Sequence, residues 1–256
     1  MSTSTPTSVR TGPGARLGPA RVETVIIRRL LGEMGKLTRW FWPAAGLIAV
    51  GVAVVISAVS TVTSSIWENV AQWPCWWLFA MATGLVYSQL PMLVLQGVTR
   101  RAALRALAVS AGLISLIWAV FMVCGHVVER FAYGRLGWPD TMASAHLFAG
   151  GYDVVPMLAE YWLLFLAYLA AGTLIGGLYY RFGAVGGTLL LPLGLLPVAA
   201  MEGLLATGWY GAGLQEGLSI SRPAPLVLAV GAVVIMLLAG LATCLVLRDV
   251  PIRPKT

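Results

Sequence analysis

Charge is what this chain has least of. Of its 256 residues, 11% are Asp, Glu, Lys or Arg and 59% are hydrophobic, where an ordinary soluble domain carries about 25% charged residues. That shortage leaves too little polar surface to clothe a soluble fold of this size, so most of the chain must face lipid or bury itself. Histidine is scarcer still. His126 and His146 are the only two, they lie far apart in the sequence, and both are expected outside the membrane core. No HExxH, no GxSxG and no pair of intramembrane Asp occurs, which removes the commonest hydrolytic chemistries. A GxxxxGK[ST] phosphate loop is also missing: Gly35-Lys36 runs on into Leu37 without the upstream glycine. The chain cannot hydrolyse nucleotide by that route and does not read as an enzyme. Three cysteines, Cys75, Cys124 and Cys244, form no CxxC or Cys/His metal spacing, so no cofactor or metal is implied. Cys75 and Cys124 fall towards the same ends of adjacent helices, which leaves a disulfide open; isolated small apolar residues are the plainer reading.

What is abundant is apolar sequence. Mean hydropathy is +0.84, and ten Trp residues suit the bilayer interface. Six segments, near 41–63, 76–97, 104–128, 158–180, 184–207 and 224–247, are long enough to cross about 30 Å of hydrocarbon, which takes roughly 20 residues. The fourth and fifth are joined by a very tight turn at Arg181-Phe182-Gly183. The expected fold is therefore all-α: a polytopic bundle of six transmembrane helices over 41–247. Residues 1–20, rich in Ser, Thr, Pro, Gly and Arg, read as a disordered tail without a secretory signal, and 248–256 as a short C-tail. Between tail and first span, Val22, Ile26, Leu30, Met34 and Leu37 recur at near-helical spacing among charged neighbours. That pattern predicts an interfacial amphipathic helix over 21–40, with Trp40-Phe41-Trp42 marking entry to the bilayer and Pro43 opening the next helix.

The net charge of +7 is a statement about topology. Seven basic residues precede the first span, three (Arg100, Arg101, Arg105) sit in the second loop, Arg181 in the fourth, and three (Arg248, Arg253, Lys255) in the C-tail. The opposite side holds Arg130, Arg135 and Arg222. Fourteen against three places both termini in the cytoplasm. Basic residues confined to tails and tight loops form no helical stripe for nucleic acid.

Several patterns inside the spans could carry function. Ser57, Ser60, Thr61 and Ser64 follow i, i+3, i+4, i+7 spacing, which would put four hydroxyls on one face as a polar path or as backbone-bonded packing. Glu202 is an intramembrane carboxylate, a candidate for a pathway or gate, and follows Pro192 and Pro197, each able to kink its helix. It lies about five residues from the outer end, within reach of headgroups or loops. Gly172 and Gly176, then Gly183 and Gly187, have the GxxxG spacing of close helix packing. In the outer connection 129–157, which carries Glu129, Asp140, His146 and Asp153, Asp140 is placed to cap a short helix through Leu147.

The sharpest local motif is the hairpin Gln96-Gly97-Val98-Thr99-Arg100-Arg101, followed by Ala102-Ala103-Leu104-Arg105. It resembles the turn G-(V/I/M)-(T/S)-R-(R/K) that joins the second and third of six helices in small bacterial ABC exporter permeases. The interfacial helix, six spans and cytoplasmic ends agree with that family, though the connection after the third span is longer and that around Tyr210–Pro223 shorter. The resemblance implies a subunit of the bacterial cytoplasmic membrane that works as a dimer with an identical or different permease. Two copies of a separate ABC ATPase would dock on Arg100, Arg101 and Arg105, with Gly97 and Thr99 shaping the turn. Cargo would be hydrophobic or amphipathic: a drug, a peptide or a lipid-like compound. A substrate-capturing subunit of an importer and a non-transporting membrane scaffold are the competing readings.

Overall fold

A computed structural model describes residues 19–248 except 145, 149, 151, 209–210, 212, 214–216 and 218–222. The N-terminal tail, most of the Tyr210–Pro223 connection with Arg222, and the C-tail beyond Arg248 lie outside the described residues. Within them the chain is helical, without a strand. The helices are α1 (Pro19–Val59), the single turn α2 (Trp67–Val70), α3 (Gln72–Leu95), α4 (Arg100–Leu136), α5 (Val154–Leu189), α6 (Leu191–Leu205) and α7 (Pro225–Arg248). Four stretches, Val22–Val59, Arg100–Leu136, Val154–Leu189 and Pro225–Arg248, are long and apolar enough to cross a membrane, as a multi-pass membrane protein requires; Leu191–Leu205 is a shorter apolar helix.

Helix ends follow local chemistry. α3 stops where Gly97 takes φ +80°, which lets Val98 donate its N–H to the Leu93 carbonyl at 3.1 Å and so satisfies an otherwise orphaned acceptor. α4 opens at Thr99, whose hydroxyl accepts from the Ala102 N–H at 3.3 Å, and closes on Gly137 at φ +71°. Gly183 (φ 75°, ψ −174°) breaks the helical path of α5. There the chain reverses. Tyr179 and Thr188 share a hydrogen bond at 3.1 Å, Gly194 lies against Ile175 and Leu178, and Ala167 clusters with Met201 and Leu205. The residues around 184 to 205 therefore run back along α5.

α5 is the hub, touching α3, α4, α6 and α7. Gly172 and Gly176 are the reason α3 comes so near. A Cβ on Gly172 would strike the Phe79 carbonyl, and one on Gly176 would lie 2.7 Å from that of Thr83. The Thr83 hydroxyl reaches Gly172 O at 3.1 Å across the same contact. The GxxxG thus packs inside one chain. Gly187 serves the hairpin instead, lying on the Tyr179 ring. Around this centre Trp118, Tyr161, Phe165, Tyr168, Leu78 and Met122 are fully buried. In lipid, such dense contact replaces the hydrophobic drive of a soluble core.

Two expectations change. The helix over 21–40 is not separate: α1 runs unbroken through Pro43. Its stripe of Ile26 and Leu30 is covered by Val86, Leu93, Ala103, Ala106 and Leu247 rather than by headgroups, because the small Ala103 and Ala106 admit it closely. The four-hydroxyl face does not form either. α1 ends at Val59, so Ser60, Thr61 and Ser64 lie beyond it, and Ser57 bonds back to the Val54 carbonyl at 2.9 Å.

Candidate functional site

The α3–α4 hairpin end of the bundle is held by arginines. Arg100 donates to the carbonyl of Arg248 at the end of α7. Arg181 donates to the neighbouring carbonyls of Val246 at 3.0 Å and Leu245 at 3.2 Å. The last carbonyls of a helix have no intrahelical donor, and a cation there also suits the helix dipole. Arg105 lies 3.5 Å from Glu23 of α1. Arg101 points to the exterior. The turn shaped by Gly97 and Thr99 is therefore fastened to both α1 and α7, ties that the linear pattern of basic residues does not reveal.

At the other end, where the loop 137–153 joins α4 to α5, carboxylates go inside. Glu68 of α2 accepts from the backbone N–H groups of Ala143 at 2.6 Å and Ser144 at 2.8 Å. Glu160 of α5 accepts from the Leu147 N–H at 2.5 Å and meets His146 Nδ1 at 2.6 Å. His146 Nε2 is 3.2 Å from Glu68. One imidazole thus bridges two carboxylates from separate elements. Burial alone would lower the His146 pKa, but the hydrogen bonds and charges of Glu160 and Glu68 prevail and raise it to about 9. Burial likewise works against the Glu68 carboxylate, yet hydrogen bonds from His146, Ser144 and Ala143 bring its pKa down to about 2. The loop is pinned by one buried imidazole held between two carboxylates.

His126 belongs to the same cluster. Its Nε2 lies 2.8 Å from the Tyr161 hydroxyl, its Nδ1 3.9 Å from Glu129, and Phe148 packs against both histidines. Glu129 accepts from Ser65 Oγ at 2.5 Å and from the N–H groups of Ile66 and Trp67 at 2.9 and 2.8 Å. The two histidines, expected apart and outside the core, are brought together because the loop folds back over α4 and α5. Glu129, expected in the loop, lies within α4. Asp140 caps no helix: it pairs with Arg130 at 3.0 Å, and none of the described loop residues is helical. Among the described residues no group of three His, Cys, Asp or Glu is set to hold a metal ion.

Deeper in the bundle, Glu202 is fully buried and accepts from the Tyr168 hydroxyl at 2.6 Å. It turns inward to α5, not out to headgroups. Gly208 (φ +71°) leaves the space its carboxylate fills. Pro192 sits at the start of α6, where a missing N–H costs nothing, and Pro197 lies inside that helix. The cysteines are free, with Cys75 buried and Cys124 exposed.

Between α1 and α4, near the loop end, lies an apolar cleft of about 510 Å³. Gly46, Ala49 and Ala53 of α1 face Gly125 and Ala132 of α4, with Trp42, Phe121 and Trp67 as side walls and Trp138 towards the loop. No protein-family model, curated protein or solved structure matches this chain.

Proposed function

We propose that the chain is the membrane-embedded permease subunit of an ABC-type exporter, moving a hydrophobic or amphipathic compound when paired with a separate ATPase. In this reading the chain crosses the membrane six times: through α1, α3, α4, the two limbs of the hairpin centred on Gly183, and α7. The hairpin end faces the cytoplasm. The observation that carries the proposal is mechanical. The basic turn at Gly97–Arg105 offers Arg101 to the exterior and is tied through Arg105 to Glu23 of α1 and through Arg100 to the end of α7. A push on it reaches α1, α3, α4 and α7 together, the coordinated rigid-body motion that alternating access demands. The lipid-facing apolar cleft supports cargo of low polarity. Two permeases, identical or different, and two ATPases complete the assembly.

The test is co-purification from mild detergent. Arg101→Glu leaves every observed tie intact and reverses the exposed charge, so recovery of a co-purifying ATPase should fall at least about tenfold, the loss of one charge-assisted contact. Full recovery with undiminished ATP hydrolysis would overturn the coupling role. A substrate-capturing importer subunit is the second reading, favoured by the cleft lying at the long-loop end. It predicts ligand binding without any dependence on Arg101.

A further inference from the structure

We infer that the cleft between α1 and α4 is a binding site for an anionic glycerophospholipid, one acyl chain in the cleft and the headgroup phosphate at Arg135. The inference rests on the chain being membrane-embedded and concerns the same cleft that supports cargo of low polarity; its test reads lipid binding alone, apart from ATPase coupling.

The cleft is built rather than left over. Small residues on facing helices ordinarily let the backbones close up, and here Gly46, Ala49 and Ala53 face Gly125 and Ala132. The helices stay apart because aromatic wedges hold them. The Trp67 indole lies where a Gly125 Cβ would be and is locked by its Nε1 donating to the Met122 carbonyl at 3.0 Å. Trp42 stacks on Phe121 at 5.2 Å and on Trp67 at 6.2 Å, extending the same wedge. At about 510 Å³ the space is that of a small-molecule site, within the roughly 300–1,000 Å³ usual for them.

Its walls select hydrocarbon. Glu129 is the one carboxylate among the lining residues, and its oxygens already take Ser65 Oγ and two backbone N–H groups. The Trp67 N–H is likewise engaged. Only the Trp42 Nε1–H, buried in the wall, has no hydrogen-bond partner among the described residues, so a polar group inside would lose water with little to gain, whereas an alkyl chain loses nothing.

Charge on the last turn of α4, next to the lining residues, decides the headgroup. Arg135 follows Ala132 and Tyr133 on α4 and precedes Leu136, all three of which line the cleft. It is exposed, and its guanidinium lies over the Phe131 ring, 5.0 Å from the centroid. Among the described residues no carboxylate pairs with it. The other arginine at this end among the described residues, Arg130, is paired with Asp140 and packed on Tyr152. An unpaired guanidinium beside an apolar slot complements a phosphate, which it can engage through two hydrogen bonds.

The chain carries its own reporter. Cys124 lines the cleft, Cys244 is exposed on α7, and Cys75 is buried. Full-length protein in nonionic detergent would be treated with N-ethylmaleimide, and labelling at Cys124 compared with Cys244 by peptide mass spectrometry. Adding dioleoyl-phosphatidylglycerol should slow Cys124 about tenfold relative to Cys244, while dioleoyl-phosphatidylcholine at the same concentration should do much less. Arg135→Ala should erase the difference between the two lipids. Ala53→Trp, filling the cleft from the exposed helix, should abolish lipid retention in native mass spectrometry while leaving the thermal midpoint close to that of the parent. Equal protection by both lipids, or protection unchanged in Arg135→Ala, would overturn the headgroup assignment. Protection that rises with protein concentration in the absence of lipid would give the cleft to a second copy of the chain and overturn the proposal as a whole.

Discussion

The two ends of the bundle handle charge in opposite ways. At the hairpin end, arginines lie on the surface and bond to carbonyl oxygens or to a partly exposed glutamate; the Arg105 side chain is 70% exposed. At the loop end, Glu68, Glu160 and His146 are withdrawn from water and satisfy one another. An exposed pair is worth little because water solvates either partner once it separates. A buried group whose partner is removed keeps its full desolvation penalty. The loop end is thus the rigid end and the hairpin end the one an outside force can shift at small cost. That asymmetry is what the proposed transporter, driven at its hairpin end, would use.

The sharpest way to break the contrast is Glu160→Ala. It leaves His146 with Glu68 alone and the Leu147 N–H without its acceptor, and should cost about 3 kcal/mol, read as a fall in thermal midpoint in detergent. Next is the pH dependence of the same clamp. The folded pKa of His146 is raised, so its contribution is whole below pH 6.5 and disappears as pH rises through about 9. The folded pKa of Glu68 is depressed, so its contribution is present above pH 4.5 and disappears as pH falls through about 2. Wild type should therefore lose stability between pH 6.5 and 9 relative to His146→Gln, whose midpoint should vary less over that window. Parallel curves would remove the cationic clamp.

Gly172→Ala tests the core that both ends share. The added Cβ meets the backbone carbonyl of Phe79, which cannot rotate away, so a loss of about 1–3 kcal/mol is expected from overpacking. At the hairpin end effects should be smaller. Thr99→Ala removes the α4 cap for about 1 kcal/mol, and Arg105→Ala should cost under about 1 kcal/mol. A loss at Arg105 as large as that at Glu160 would erase the distinction between a soft and a rigid end.

Local signals were legible in the residues themselves. The Gly97-Val98-Thr99 turn, the reversal at Gly183 and the small-residue stripe of Gly172 and Gly176 each depend on backbone sterics within a few positions. The helical stripe of Ile26, Leu30 and Met34 was equally visible, but what covers it was not: lipid and Ala103/Ala106 accept the same apolar face. Pro43 misled because a proline that can open a helix can also be carried within one when neighbours such as Trp42 are well packed. The Glu68–His146–Glu160 clamp had no linear signature, since its three members come from α2, the loop and α5. A single histidine near a glutamate in an outer loop reads as solvated chemistry until the fold removes the water.

By itself, then, the amino-acid sequence determined the class of the molecule and the places where its chain turns. Apolar length, scarcity of charge and glycines at positive φ act locally or in sum, whatever the tertiary arrangement. The tertiary structure decided which charges are buried and paired, that Glu202 faces Tyr168, and that wedged aromatics keep α1 and α4 apart around an apolar cleft. Those outcomes depend on contacts between segments distant in the chain. Burial, the quantity that sets their energy, exists only once the helices have met.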